Sequence, residues 1–328
     1  MRRNNLLLLA AALSLSGCAG VQSALSPTGA EAIEIDPLFW TVTGISAAVA
    51  GLVTILVAIA IFGPPAWRAR LAVGWIVWGG GIVFPVVVLS GLFVYGLVVL
   101  QAGATRAGSA EGPGVTIIGK RWWWDVVYTT PDGRAFRSAN ELRLPVGRPV
   151  AIRLESDNVI HSFWAPRLAG KLDMIPGRTN VLTLEATEPG ASRGQCAEYC
   201  GGAHALMAFW VVALAADDYD EWLEREAADA LEPRTAEEAR GHDLFLQNGC
   251  GACHTIRGTG AAGVLGPDLT HVGGRLSLAA AALPNTRAAF AAWLVENGHI
   301  KPENLMPQYR YLEPDELRAL SAYLESLE

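Results

Sequence analysis

The chain has 328 residues, 51% hydrophobic and only 17% charged, with a formal net charge of −7. That length calls for two or three folding units rather than one, and the acidic balance argues against nucleic acid as a partner and favours a basic one. Of five cysteines, Cys18, Cys196, Cys200, Cys250 and Cys253, the last four form two short pairs, a spacing of chelation or covalent attachment more than of a disulfide framework.

In chain order, Arg2 and Arg3 precede an apolar run over 6–15, too short to cross a bilayer and of the length of a signal h-region. Leu15-Ser16-Gly17-Cys18 resembles a bacterial lipobox. Residues 1–17 then read as a lipoprotein-type signal peptide, with Cys18 the lipidated start of an exported segment, 18–36. An ordinary signal with a small-residue cleavage site would discard Cys18; both readings put the following chain outside the cytoplasmic membrane. Residues 38–62 and 71–100 carry no charge, and each exceeds the ~20 residues a spanning helix needs. Trp40 and Trp67 sit near the ends of these runs, and Pro85 should kink the second. The connector 63–70 carries Arg68 and Arg70 and no acid, so it is expected on the cytoplasmic side. Residues 37–100 are therefore read as a transmembrane hairpin, out–in–out.

Over 101–216 the pattern changes to short strands: 115–130, closed by the turn residues Pro131-Asp132-Gly133, then 149–156, 179–186 and 207–214. These predict an antiparallel β-sandwich. The segment 217–236 is an acidic linker, helical in character, with ten acidic residues over 217–238 against Arg225 and Arg234. Helices are expected over 235–248, 286–297 and 313–327, in an all-α domain spanning 237–328.

Cys250-Gly251-Ala252-Cys253-His254 is a C-x-x-C-H motif, which attaches haem through two thioethers and binds iron through the adjacent imidazole. A redox dithiol is the alternative, but the strand-poor surroundings are unlike a thioredoxin site. The second axial ligand must lie downstream, among His271, His299 and Met306. Met306-Pro307 resembles the distal loop of small cytochromes c, and Gly266-Pro267-Asp268-Leu269 resembles their proximal loop, whose carbonyl orients the haem histidine. Methionine ligation would raise the haem potential.

A second set of soft donors lies in 195–210, QCAEYCGGAHALMAFW. Thiolate, imidazole and thioether together select copper, zinc or iron–sulfur. Zinc rarely takes methionine, and an iron–sulfur cluster normally needs four cysteines. Two bridging thiolates could hold two copper ions, given a second histidine, and His161 in SDNVIHSFW supplies one from the same strand-rich region. A Cys196–Cys200 disulfide and a core role for His161 are the alternatives.

The joint pattern C-x-x-x-C-x-x-x-H-x-x-M with an upstream His-Ser-Phe-Trp resembles subunit 2 of haem–copper cytochrome c oxidases, in the caa-type form with a cytochrome c domain fused at its C-terminus. The resemblance implies a multidomain membrane protein: a two-helix hairpin, an all-β cupredoxin-like sandwich and an all-α class I cytochrome c domain. It implies a binuclear CuA centre held by His161, Cys196, Cys200, His204, Met207 and the carbonyl of Glu198. The Glu198 side chain would reach a magnesium or manganese ion shared with subunit 1. It also implies haem c bound to Cys250 and Cys253, with His254 and Met306 as axial ligands. Trp122 would be where electrons reach the copper domain, with Trp123 and Trp124 structural. Electrons would pass from haem to CuA and on to subunit 1, an obligate partner, where oxygen is reduced to water with proton translocation; the oxygen site is not in this chain. Subunit 3, a cytochrome c or cytochrome bc complex as donor, and membrane lipid complete the expected partners. Both redox domains would lie on the periplasmic face of a bacterial cytoplasmic membrane. One departure is that the start of the second membrane run lacks the acid many relatives carry at a proton path, so proton uptake is not assigned to this chain. Rival readings are a nitrous oxide reductase-like copper domain, an exported copper-delivery protein, and a quinol oxidase subunit 2, which keeps the fold but lacks these ligands.

Overall fold

A computed structural model describes residues 19–71, 73–108 and 114–328. The signal segment and Cys18 lie outside the described residues. Helix α1, Ala30–Phe62, is 33 residues long, roughly 50 Å at 1.5 Å per residue. A short helix α2, Pro65–Leu71, carries Arg68 and Arg70 in its last turn. The second run begins as helix α3, Gly74–Trp78, passes through a π-helical turn at Gly79–Val83 and continues as helix α4, Phe84–Gly108. Pro85 has no N–H to offer the preceding turn, and the three glycines Gly79, Gly80 and Gly81 absorb the widening as a π-bulge instead of a break. Ala30–Phe62 and Gly74–Gly103 are long and apolar enough to cross a membrane. Their side chains are exposed almost throughout, Phe62 at 84% and Leu100 at 70% among them. Apolar surface on that scale is the face a bilayer would cover.

The first turn of α1 is fastened to the next domain. Ala30 N–H donates to Glu185 O at 3.0 Å and Ala32 N–H to Leu168 O at 3.2 Å, and Glu31 Oε1 accepts from Gly170 N–H at 3.2 Å. The hairpin and the sandwich are thus joined at the helix N-terminus, where free backbone N–H groups favour an acidic side chain.

The sandwich consists of two five-stranded sheets. Strands β1 (Val115–Lys120), β2 (Trp123–Thr129), β3 (Ala135–Ala139), β5 (Val150–Ser156) and β8 (Asn180–Leu184) form the first, in the order β3-β2-β1-β5-β8. The second has the order β4-β10-β9-β6-β7, from Glu141–Pro145, Ala208–Leu214, Gly190–Cys196, His161–Trp164 and Leu172–Met174. The sheets are mixed rather than wholly antiparallel: β1 runs parallel to β5, and β10 to β4. The chain crosses between sheets before returning, so two neighbours arrive in the same sense. That crossing leaves no local periodicity in the sequence. Alternate residues fill the core. Trp124 turns inward against Phe163, Phe209 and His161 at ring separations of 5.8, 5.1 and 6.2 Å, while Trp123, on the other face, lies under Lys120 at 5.2 Å.

The acidic segment begins as helix α5, Ala216–Ala227, whose Tyr219, Trp222 and Leu223 are buried in the sandwich core. Each such burial contributes about 2 kcal/mol, so this helix belongs physically to the sandwich and its acids form the solvated face. The C-terminal domain is built on α6 (Ala236–Gln247), α7 (Arg287–Ile300) and α8 (Pro314–Ser326). Phe245, Phe290, Leu294, Leu320, Tyr323 and Leu324 are at its centre. A capping box at Thr235 and Glu238 starts α6. Glu313 and Glu316 make the equivalent box on α8, with Pro314 at the first turn.

Candidate metal centre and haem site

Strand β6 places His161 fully inside the sandwich, beneath Gly119, where a Cβ would come within 2.8 Å of the imidazole. The His161 Nε2 is 3.2 Å from Asn158 Oδ1. An N–H there leaves Nδ1 with a free lone pair, 3.8 Å from Cys196 Sγ. Cys196 ends β9 and Cys200 begins the loop back to β10. Their Sγ atoms are 3.8 Å apart and both thiols are free, against about 2.05 Å for a disulfide. Cys200 Sγ lies 3.5 Å from His204 Nδ1 and 3.8 Å from Met207 Sδ. Cys196 Sγ is 3.2 Å from the Glu198 carbonyl oxygen. Two thiols, two imidazoles, a thioether and a carbonyl therefore converge on one pocket, although they come from chain positions 161 to 207.

The thiols are electrostatically unequal. Cys196 is held well below the usual thiol range, first by the hydrogen bond from Cys200 and then by His161 and backbone donors, whereas sharing its proton and burial push Cys200 up. A thiolate is the form that binds metal. This donor set fits copper, because sulfur and imidazole suit it and His161, Cys196, Cys200 and Met207 are buried. Glu198 turns its side chain outward, exposed, so its carboxylate is open to a neighbouring chain while its carbonyl faces the sulfurs.

Trp122 is 5% exposed, and its Nε1–H donates to Cys200 O at 3.0 Å. A Cβ on Gly201, which has φ of 116°, would lie 3.0 Å from the same ring. Trp122 thus packs directly on the metal-type loop.

In the helical domain His254 Nδ1 is 2.8 Å from Pro267 O, which holds the ring by that nitrogen and leaves Nε2 for a ligand. Burial keeps His254 below the usual imidazole range, hence neutral and able to bind metal. Gly266 is required here, since its Cβ would be 2.5 Å from the His254 ring. Of the three candidates for the opposite ligand, His271 has both nitrogens engaged, with Glu328 O at 3.0 Å and Ala228 O at 3.1 Å. His299 is exposed at the end of α7. Met306 packs against the core that holds Cys250, its sulfur 3.2 Å from Trp293 Nε1. Its loop is pinned by Asn304, whose Oδ1 accepts from Met306 N–H at 3.0 Å and whose Nδ2 donates to Asn297 O at 3.0 Å. A buried Arg275 donates to Asp268 O at 2.6 Å and leaves Nε without a partner among the described residues. An unused cationic donor in such a place fits the carboxylates of a haem.

Sequence reasoning missed Asn158, Trp293, Asn304 and Arg275. Asn158 sits three residues before His161, a local signal that could have been used. The others reach their site only through the fold.

Comparison with known proteins follows the same division. Residues 129–214 match the family model "Cytochrome C oxidase subunit II, periplasmic domain", and residues 238–328 match "Cytochrome c". A cytochrome c oxidase subunit 2 of Alkalihalophilus pseudofirmus is 39% identical over 213 residues, covering 65% of this chain and 60% of that protein. One from Bacillus subtilis is 30% identical over 223 residues, covering 65% and 62%. The chain thus spans about three fifths of the length of these curated relatives. The crystal structure of the periplasmic domain of subunit II of cytochrome oxidase of Bradyrhizobium japonicum is 27% identical, covers 36% of this chain and 96% of that one, and superposes with a TM-score of 0.33. The thiol loop thus lies in the stretch similar to the periplasmic domain of cytochrome c oxidase subunit II, and the C-x-x-C-H motif in the stretch similar to cytochrome c.

Proposed function

We propose that this chain is the electron-transfer subunit of a membrane-bound terminal cytochrome c oxidase, receiving electrons at its haem domain and delivering them through the copper domain to subunit 1. A c-type haem and copper, when bound, would supply one-electron redox chemistry. Cys250 and Cys253 would hold the haem, with His254 and Met306 on the iron. Cys196, Cys200, His161, His204, Met207 and the Glu198 carbonyl would hold copper. The observation that carries this reading is the convergence of two free thiols, both imidazoles and the Met207 thioether within 3.5–3.8 Å contacts.

Each residue has a physical task. Asn158 and Pro267 orient His161 and His254 by holding one ring nitrogen of each. Trp122 supports the metal loop and, at the surface of the centre, is the residue through which charge would arrive. A rigid sandwich keeps the donors from moving as charge changes, which keeps reorganisation small. The exposed Glu198 carboxylate would contribute to a magnesium or manganese site with subunit 1. The apolar hairpin would anchor both domains on the periplasmic face, with Cys18 as a lipid anchor, beside subunits 1 and 3. A cytochrome c or cytochrome bc complex is the proposed donor.

Counting metals on the purified full chain tests this. Two coppers and one iron, with a mixed-valence copper resonance, are expected. A single labile copper would instead favour copper delivery, and a cystine between Cys196 and Cys200 without metal would reject the reading.

A further inference from the structure

We infer that the haem domain is a fixed part of the copper face, not a mobile donor on a tether, and that its 279–281 turn and 301–306 loop form the contact. The inference rests on the electron-transfer reading for its purpose, but on geometry for its substance. First, the haem domain hydrogen-bonds to the start of β10 in the copper-side sheet. Trp210 N–H donates to Asn140 O at 3.0 Å at the end of the β4–β10 ladder, and two residues earlier Ala208 N–H donates to Ala280 O at 3.2 Å. Ala208 directly follows Met207. Ala279, Ala280 and Ala281 all have left-handed φ, 54°, 61° and 60°, a conformation alanine avoids unless its surroundings hold it. The holding contacts are the Ala208 amide on Ala280 O and Lys301 Nζ on Ala279 O, at 3.0 Å.

Second, charged groups buried at this face are satisfied across it. Glu141 of β4, 5% exposed, pairs with Arg143 at 2.7 Å and accepts from Leu276 N–H at 2.8 Å. Arg143 in turn donates to Gly274 O at 3.2 Å. Arg257, three residues past the C-x-x-C-H histidine, lies over the Phe136 ring at 5.7 Å and donates to Arg137 O at 3.4 Å, both on β3. The same guanidinium pairs with Asp268 at 2.9 Å and donates to Glu226 O and Ala228 O in the connector. Glu141 and Arg257 each keep one partner in their own domain, and the rest of their hydrogen-bonding capacity is met across the face, which marks a lasting contact, because detachment would leave those groups to be solvated again.

Third, the connector has no slack. Ala230 N–H donates to Arg257 O at 3.0 Å, and Ala228 O faces His271 at 3.1 Å. The tether is itself bound to the domain it would release.

The 301–306 loop then joins the two centres. At one end Glu303 lies against the thiol loop: a Cβ on Gly202 would meet its carboxylate at 2.6 Å. At the other end is Met306, tied through Asn304 to Lys301 O at 2.7 Å. A charge leaving the haem side would cross this loop without any docking step.

The test uses the full chain loaded with haem and copper. Flash reduction of the haem should be followed by copper reduction in one phase, its rate changed by less than about twofold by added glycerol or salt, since no diffusive encounter is involved. The amides of Ala208 and Leu276 should exchange slowly with solvent hydrogen. The double variant Arg257→Gln, Glu141→Gln should transfer about tenfold more slowly and become sensitive to viscosity, as a tethered partner would. A native rate that falls in proportion to viscosity, or fast exchange at both amides, would overturn the inference. Slow exchange at those amides with no electron reaching copper would uphold the docking and reject the electron-transfer reading instead.

Discussion

The imidazole of His161 is best oriented to give one nitrogen to a metal when the other is held, and Asn158 holds it at 3.2 Å. Replacing a partner of this kind typically costs 10–100-fold in metal affinity. Asn158→Ala should therefore keep the fold and lose copper about tenfold more readily, measured by competition with a chelator. That Cys196, Cys200, His204 and Met207 share one loop was legible from spacing alone, because they are near in sequence. Asn158 was not, because an asparagine beside a histidine has many uses and only a hydrogen bond singles one out. His271 illustrates the converse. Its residue type made it a candidate iron ligand, and two backbone carbonyls, from 228 and 328, account for both its nitrogens.

The starts of the three C-terminal helices were readable, with Thr235, Thr286 and Glu313 as their caps, whereas α7 runs on to Ile300 and α1 begins at Ala30, ahead of the uncharged run. Thr235 caps α6 through Glu238 N–H at 3.2 Å, with Glu238 returning the bond to Thr235 N–H at 3.2 Å. Such a cap is worth about 1 kcal/mol, so Thr235→Ala should lower the stability of the haem domain by about that amount in thermal or urea unfolding. Strand identity was also readable from alternation, strand partnership was not. Nothing in 115–120 announces that it will pair in parallel with 150–156, since the crossing that brings them together is made by intervening chain. The π-turn at Gly79–Val83 belongs to the same class. Pro85 predicts a disturbance, and the glycines before it decide that the helix widens and continues.

For the molecule as a whole, the boundary between copper domain and linker is set by packing, not by charge. The acidic composition of 217–236 marks it as a linker, yet Trp222 and Tyr219 are 5% and 7% exposed. Trp222 lies 5.1 Å from Tyr128 and under Arg143 at 5.0 Å. Deleting large aromatic side chains from a core costs about 3–5 kcal/mol each. A chain ended after residue 214 should accordingly be less stable to urea by at least that much than one ended after residue 230, which keeps α5. Equal stability of the two would place α5 outside the domain.

Chemistry and membrane character were written locally. A thiol pair with histidine and methionine at fixed spacing, a C-x-x-C-H run and uncharged stretches longer than a bilayer each act through residues adjacent in the chain, so composition and spacing suffice to read them. The placement of one domain on another was written nowhere locally. It depends on Glu141 meeting Leu276, Arg257 meeting Phe136, and Ala208 meeting Ala280. These partners are 72 to 135 positions apart in the sequence, and they come together only because burying a charge or an amide requires a partner that the folded chain alone can bring.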